Sequence, residues 1–156
     1  MSKMDTKNKN ADVLIVDEED LGIESTVYCA YEKNREIPFA FNMVRDIDSA
    51  IEELERHDYK LILSTEFVAD DESVPDEELT LRGGLLRLLQ FLLDTGRQTR
   101  VCVMSPITLS EFEDELYRSY PNTVGLFGRR LGARDYLAIR KIIRQYVPAA
   151  EETRKR

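Results

Sequence analysis

The sequence predicts a doubly wound α/β domain of three layers, with a five-stranded parallel sheet between two layers of helices. Short continuous aliphatic runs such as Val13-Leu14-Ile15-Val16 and Val101-Cys102-Val103-Met104 have the character of strands buried on both faces. Segments with apolar residues at helical spacing alternate with these runs, and right-handed crossovers between parallel strands place such helices on both sides of a sheet. The length, 156 residues, suits one domain, because a domain of about 150 residues hides roughly 70% of its unfolded surface.

The elements follow in order. Val13 to Val16 ends in Asp17, Glu18 and Glu19, and Ile23, Val27, Ala30 and Tyr31 then recur at helical spacing in a helix that begins near Asp20 and stops before Pro38. Phe39 to Val44 reads as the second strand. Asp46 or Asp48 can cap a short helix whose apolar face is Ile47, Ile51 and Leu54. Leu61 to Leu63 is the third strand, followed by an acidic loop. The next helix starts around Leu81, turns Leu85, Leu88, Leu89, Leu92 and Leu93 to the core, and is stopped by Gly96. Val101 to Met104 is the fourth strand, closed by Ser105-Pro106. A capping box of Thr108 with Glu111, or Ser110 with Glu113, opens a fourth helix with Phe112, Leu116 and Tyr120 on its apolar face. Val124 to Phe127 supplies the fifth strand, and Ala133 to Val147 the fifth helix, with Ile139, Ile142, Ile143 and Tyr146 inward and Pro148 as its stop. Five strands without a glycine-rich fingerprint after the first favour the flavodoxin-like strand order, in which ligands bind beyond the carboxyl ends of the strands.

Composition narrows the function. Hydrophobic residues at 42% and charged residues at 33% are ordinary for a globular protein, and no apolar run approaches the ~18 residues of a membrane span. Residues 1–10 are polar and read as a disordered lead without the apolar stretch of a secretory signal, leaving a domain over 11–148 and a charged tail over 149–156. Cys29 and Cys102 each fall in an apolar periodic segment, as buried thiols of a reducing, cytoplasmic compartment do. His57, the single histidine, reads as a surface residue at the polar end of a short helix, favourable to its dipole and without a catalytic role. A net charge of −8 argues against a dedicated nucleic-acid binder. The charge is polarised, with Asp70, Asp71, Glu72, Asp76, Glu77 and Glu78 in one loop and Arg129, Arg130, Arg134, Arg140, Lys141 and Arg144 towards the C-terminus.

The predicted strand ends carry Asp17 and Glu18, then Ser64, Thr65 and Glu66, then Ser105, then Arg129 and Arg130. In this arrangement the chain resembles, from Ala11 to Val147, the receiver domain of bacterial two-component response regulators, the CheY-like superfamily. The resemblance implies that Asp17 and Glu18 match the acid pair that holds Mg²⁺, and that Ser105 matches the hydroxyl that follows the phosphoryl group. Phe127 matches the fifth-strand aromatic, which puts Arg130, or Arg129, where the family has a lysine. Thr65 falls at the phosphoacceptor aspartate, with Ser64 or Glu66 there if the register slips by one. None of the three is an aspartate. A threonine hydroxyl is a poor nucleophile without a base, and arginine replaces a mobile point charge with a planar fork suited to pairing with Asp17 or Glu18.

The expected function is therefore that of a degenerate pseudo-receiver, a signalling module that binds other proteins and is neither an enzyme nor switched by aspartyl phosphorylation. It requires no cofactor, and Mg²⁺ at Asp17 and Glu18 would bind weakly. The acids have an alternative role, capping the following helix. The resemblance places protein partners, a signalling kinase or regulator, or a second copy in a homodimer, on the face of the fourth helix, fifth strand and fifth helix. That face would include Phe112, Leu116, Tyr120, Arg140 and Arg144, with neither nucleic acid nor membrane as partner. With no DNA-binding segment after Val147, output would pass through another chain. Other readings are an atypical receiver that phosphorylates Asp70 or Asp71 of the long acidic loop, a small Mg²⁺-dependent phosphatase of the haloacid dehalogenase type with Asp17 as nucleophile, and an assembly element resembling the receiver-like wing of basic amino-acid decarboxylases. The phosphatase match is poor at Glu19 and Leu21.

Overall fold

The computed structural model describes residues 11–17, 23, 26–27, 39–65, 83–104, 117–127 and 133–147. Within them lie β1 (Val13–Val16), β2 (Phe41–Val44), α1 (Ile47–Arg56), β3 (Leu61–Thr65), α2 (Gly83–Asp94), β4 (Arg100–Met104), β5 (Thr123–Phe127) and α3 (Ala133–Tyr146). Ile23, Thr26 and Val27, between β1 and β2, are also helical. The strands form one sheet in the order β2-β1-β3-β4-β5, and every pairing is parallel. This is the flavodoxin-like order. Its switch point lies between β1 and β3, where successive connections leave in opposite directions.

Side chains alternate across the sheet and separate its interior into two cores. Leu14, Val16, Ile62, Val101 and Val103 meet Ile47, Ala50 and Leu54 of α1 and Leu85, Leu88, Leu89 and Leu92 of α2. Val13, Ile15, Leu61, Leu63 and Cys102 meet Ile23, Val27, Ile139, Ile143 and Val147 on the other face. Each fully buried leucine or isoleucine here contributes roughly 1.5–3 kcal/mol over its exposed state. Burial pushes the Cys102 thiol up to about 12, so it is protonated and inert at neutral pH.

The helix signals resolve in detail. Asp46 rather than Asp48 caps α1, its Oδ1 accepting the Ser49 N–H at 2.7 Å. Asp48 instead pairs with Arg87 of α2 across the helix–helix contact. Gly96 ends the turn after α2 at φ +65°, with Gly96 N–H bonded to the Leu93 carbonyl and Arg97 N–H to that of Leu92, a Schellman arrangement. Leu93, expected in the core, is 42% exposed, because α2 turns its Leu85, Leu88, Leu89 and Leu92 stripe inward and leaves Leu93 beyond its edge. His57 is not simply at the surface. It is half-buried at the C-terminus of α1, with its Nε2–H donating to the Ala11 carbonyl at 2.7 Å and its ring 4.6 Å from that of Tyr59.

Two irregularities shape the right-hand half of the sheet. The β4–β5 register runs from Val101 with Thr123 to Cys102 with Gly125, leaving Val124 as a bulge. A Cβ on Gly125 would stand 2.7 Å from Ile142 Cδ1 and 3.2 Å from Cys102 Sγ, so the glycine admits α3 to close contact with β5. On the other side, Tyr59 OH donates to Glu53 Oε1 at 2.7 Å and accepts from Asn42 Nδ2 at 2.8 Å, all three residues being buried. Burial, and to a lesser degree Glu53, push the Tyr59 phenol above its ordinary range against the opposing bond from Asn42. Replacing Tyr59 with Phe removes the shared partner of two buried polar groups. Tyr59→Phe should therefore cost about 1–3 kcal/mol, read as a lower urea midpoint at unchanged m-value.

Candidate functional site

The carboxyl ends of the five parallel strands lie along one edge of the sheet, with the switch point between β1 and β3. Asp17 follows β1 directly and is 2% exposed. Its backbone N–H donates to the Val44 carbonyl at 3.0 Å, which extends the β1–β2 ladder by one residue. Its Oδ2 accepts the Ile23 N–H at 2.7 Å. The carboxylate thus satisfies the backbone donor of Ile23, a helical residue six positions on.

The register assembles the rest of the rim. Val16 pairs with Ser64, so Asp17 and Thr65 are the next residues along adjacent strands. Thr65 in turn pairs with Met104, and Met104 with Phe127, so one row of backbone crosses β3, β4 and β5. Ser64 is fully buried one step inside this row. Phe127 is 9% exposed and packs in the second core beside Cys102 and the Gly125 backbone.

Glu18, Glu66, Ser105, Arg129 and Arg130 lie outside the described residues, as do Asp70, Asp71 and the acidic loop. Among the described residues no group of three His, Cys, Asp or Glu side chains could hold a metal ion. Asp17 is the one strand-end acid described, and one of its oxygens is engaged by a backbone amide. Because Mg²⁺ needs near-ideal octahedral geometry and takes one or two carboxylates, Asp17 would have to serve it through its remaining coordination capacity together with Glu18.

The expected interaction face is partly in view. Tyr120 is half-buried against the first core, Arg140 is half-buried and Arg144 exposed, while Phe112 and Leu116 lie outside the described residues. Leu137, which the apolar periodicity of the last helix passes over, is 66% exposed, the highest value of any large apolar residue described. It shares a stripe of α3 with Arg140, Lys141 and Arg144, the positions three, four and seven residues on. The sequence also gave no prominence to the Asn42, Glu53 and Tyr59 network. A polar asparagine inside the second strand was its one visible signal.

This fold is the receiver fold. No protein-family model and no curated protein matches the sequence, but solved receiver structures superpose on it along most of their length. The signal receiver domain of a LuxO repressor protein from Vibrio parahaemolyticus matches with a TM-score of 0.64 at 13% identity, covering 90% of this chain and 92% of that one. A two-component response regulator from Clostridium difficile matches with a TM-score of 0.61 at 15% identity, covering 87% and 97%. A CheY-like response regulator receiver domain protein from Methanospirillum hungatei gives 0.58 at 14%, covering 90% and 96%.

The bond from Asp17 to the Ile23 amide separates two roles of this acid. Asp17→Ala should lower stability by about 1–2 kcal/mol and Asp17→Asn, which keeps an acceptor oxygen, by clearly less, as measured by thermal or urea unfolding.

Proposed function

We propose that the protein is a receiver-like signalling module that works by binding other proteins in the cytoplasm, without enzymatic activity and without an aspartyl phosphorylation switch. The observation that carries this reading is the end of β3. The register sets Thr65 beside Asp17 and Met104, and on this reading Thr65 takes the position of a receiver's acceptor carboxylate, neither Ser64 nor Glu66 supplying an aspartate. A hydroxyl there forms no acyl phosphate, and it is a poor nucleophile without a base to activate it. Asp17 has a structural task that would preserve it in the absence of phosphoryl chemistry.

The outer stripe of α3 supports binding as the output. Leu137 stands exposed among Arg140, Lys141 and Arg144, an apolar centre with a basic rim on a molecule whose net charge is −8. Protein interfaces commonly have such an apolar centre and polar rim. This stripe belongs to the face through which receivers meet partners or a second copy.

Incubation with acetyl phosphate and Mg²⁺ should leave the intact mass unchanged, and a cognate histidine kinase should transfer no phosphoryl group. An acid-labile adduct, mapped to any aspartate, would overturn the reading. Leu137→Glu should weaken self-association in sedimentation equilibrium, or capture of the protein partner, without moving the urea midpoint, because the side chain it replaces is exposed. If neither association changes, α3 is not the binding face.

A further inference from the structure

The last helix, α3, has a buried side and an open side of unlike character. Ile139 and Ile143 are fully buried in the second core. At about 100° per residue, Arg134, Leu137, Arg140, Lys141 and Arg144 share roughly a third of the circumference on the other side, centred on Leu137. Arg140 is half-buried and the other four are exposed. The stripe extends about 15 Å along the axis, at about 1.5 Å per residue. It contains no carboxylate, because Asp135, the one acid of α3, is turned about 160° away from Leu137.

The outer surface of α1 balances its own charge, Glu52 pairing with Arg56 at 3.0 Å and Asp48 with Arg87 of α2. On α3, Arg134 and Lys141 enter no ion pair among the described residues. A cationic stripe without an acid is a marked departure in a chain whose acids outnumber its Lys and Arg by 30 to 22. Helix stability does not account for it. Lys141 and Arg144 complement the negative end of the macrodipole, but Arg134 is the second residue of α3, at the positive end, where a cation is unfavourable. Leu137, 66% exposed, gains little from the core.

The charge of the stripe decides among occupants. A twofold contact with a second copy brings the same patch from both subunits together, and so sets these cations against themselves. Like charges juxtaposed across an interface are costly. Nucleic acid has no use for a central leucine, and its phosphates are repelled by a molecule of net charge −8. A protein surface with carboxylates around an apolar side chain complements both the leucine and its rim.

We propose that the outer stripe of α3 docks an acidic segment of a different protein, one whose apolar side chain covers Leu137 while its carboxylates meet Arg134, Lys141 and Arg144. The proposal rests on the reading of α3 as a binding face and adds the chemistry of the partner. Charge complementarity fixes the orientation of the partner and speeds its encounter, and burial of Leu137 slows its release.

The test is an NMR titration of the ¹⁵N-labelled full chain with a synthetic amphipathic helical peptide that carries leucines flanked by glutamates, and with its counterpart in which lysine replaces every glutamate. The acidic peptide should give saturable shifts along α3 from Arg134 to Arg144, weakened roughly tenfold when salt rises from about 0.05 to about 0.5 M. The double variant Arg134→Glu with Lys141→Glu should abolish these shifts while its spectrum stays folded, and Leu137→Ala should weaken binding about fivefold. No shift on α3 with the acidic peptide, equal binding of the lysine counterpart, or binding unaltered by the double charge reversal overturns the proposal. Sedimentation equilibrium separates this failure from that of the underlying reading. A dimer that tightens with added salt and is disrupted by Leu137→Glu replaces the acidic partner with a second copy and keeps α3 as the binding face. If Leu137→Glu changes no association at all, the binding face itself is lost.

Discussion

A parallel sheet packed on both faces leaves its strand interiors no access to water, and this constraint governs everything else in the molecule. Val13 to Val16, Leu61 to Leu63 and Val101 to Val103 are fully buried, and they divide by alternation between two cores. Polar side chains that do chemistry or recognition must then gather at the two ends of the strands. The carboxyl ends bring Asp17, Thr65, Met104 and Phe127 into neighbouring positions by register alone. The amino ends bring Lys60, Arg97 and Thr99 together around a cavity.

The same constraint explains how buried polar groups inside the layers are treated. Asn42, Tyr59 and Glu53 satisfy one another in a chain of hydrogen bonds linking β2, α1 and the approach to β3. In a low-dielectric interior such a network stabilises when complete and destabilises when broken, so it specifies one packing of α1 on the sheet. Asp17 follows the same rule at the sheet's rim. A buried carboxylate that accepts a backbone N–H is held in place by the fold.

Likeness to receiver structures at 13–15% identity shows how little of the fold depends on particular residues. Aliphatic character and period maintain the layers, and many side chains of similar volume satisfy both. Function depends on a few polar atoms in register. The same sheet therefore accommodates many different sets of strand-end residues.

The alternation of aliphatic runs with helical periodicity was sufficient, before any coordinates, to define the fold class, the strand sequence and most of the core, because burial on both faces imposes continuous apolar runs that few other architectures need. An aspartate cap at Asp46 or Asp48, Gly96 as a helix stop and the Leu85, Leu88, Leu89 and Leu92 stripe of α2 were legible for the same local reason. Tertiary structure alone decided the rest. Asp46 took the cap, and Asp48, inside the first turn of α1, found Arg87 of α2. His57 became a tether to Ala11, and Asn42 found Tyr59, only when distant segments met. The cavity around Arg97 joins residues from three separate parts of the chain, and no periodicity in one segment can announce a partner that folding supplies from another.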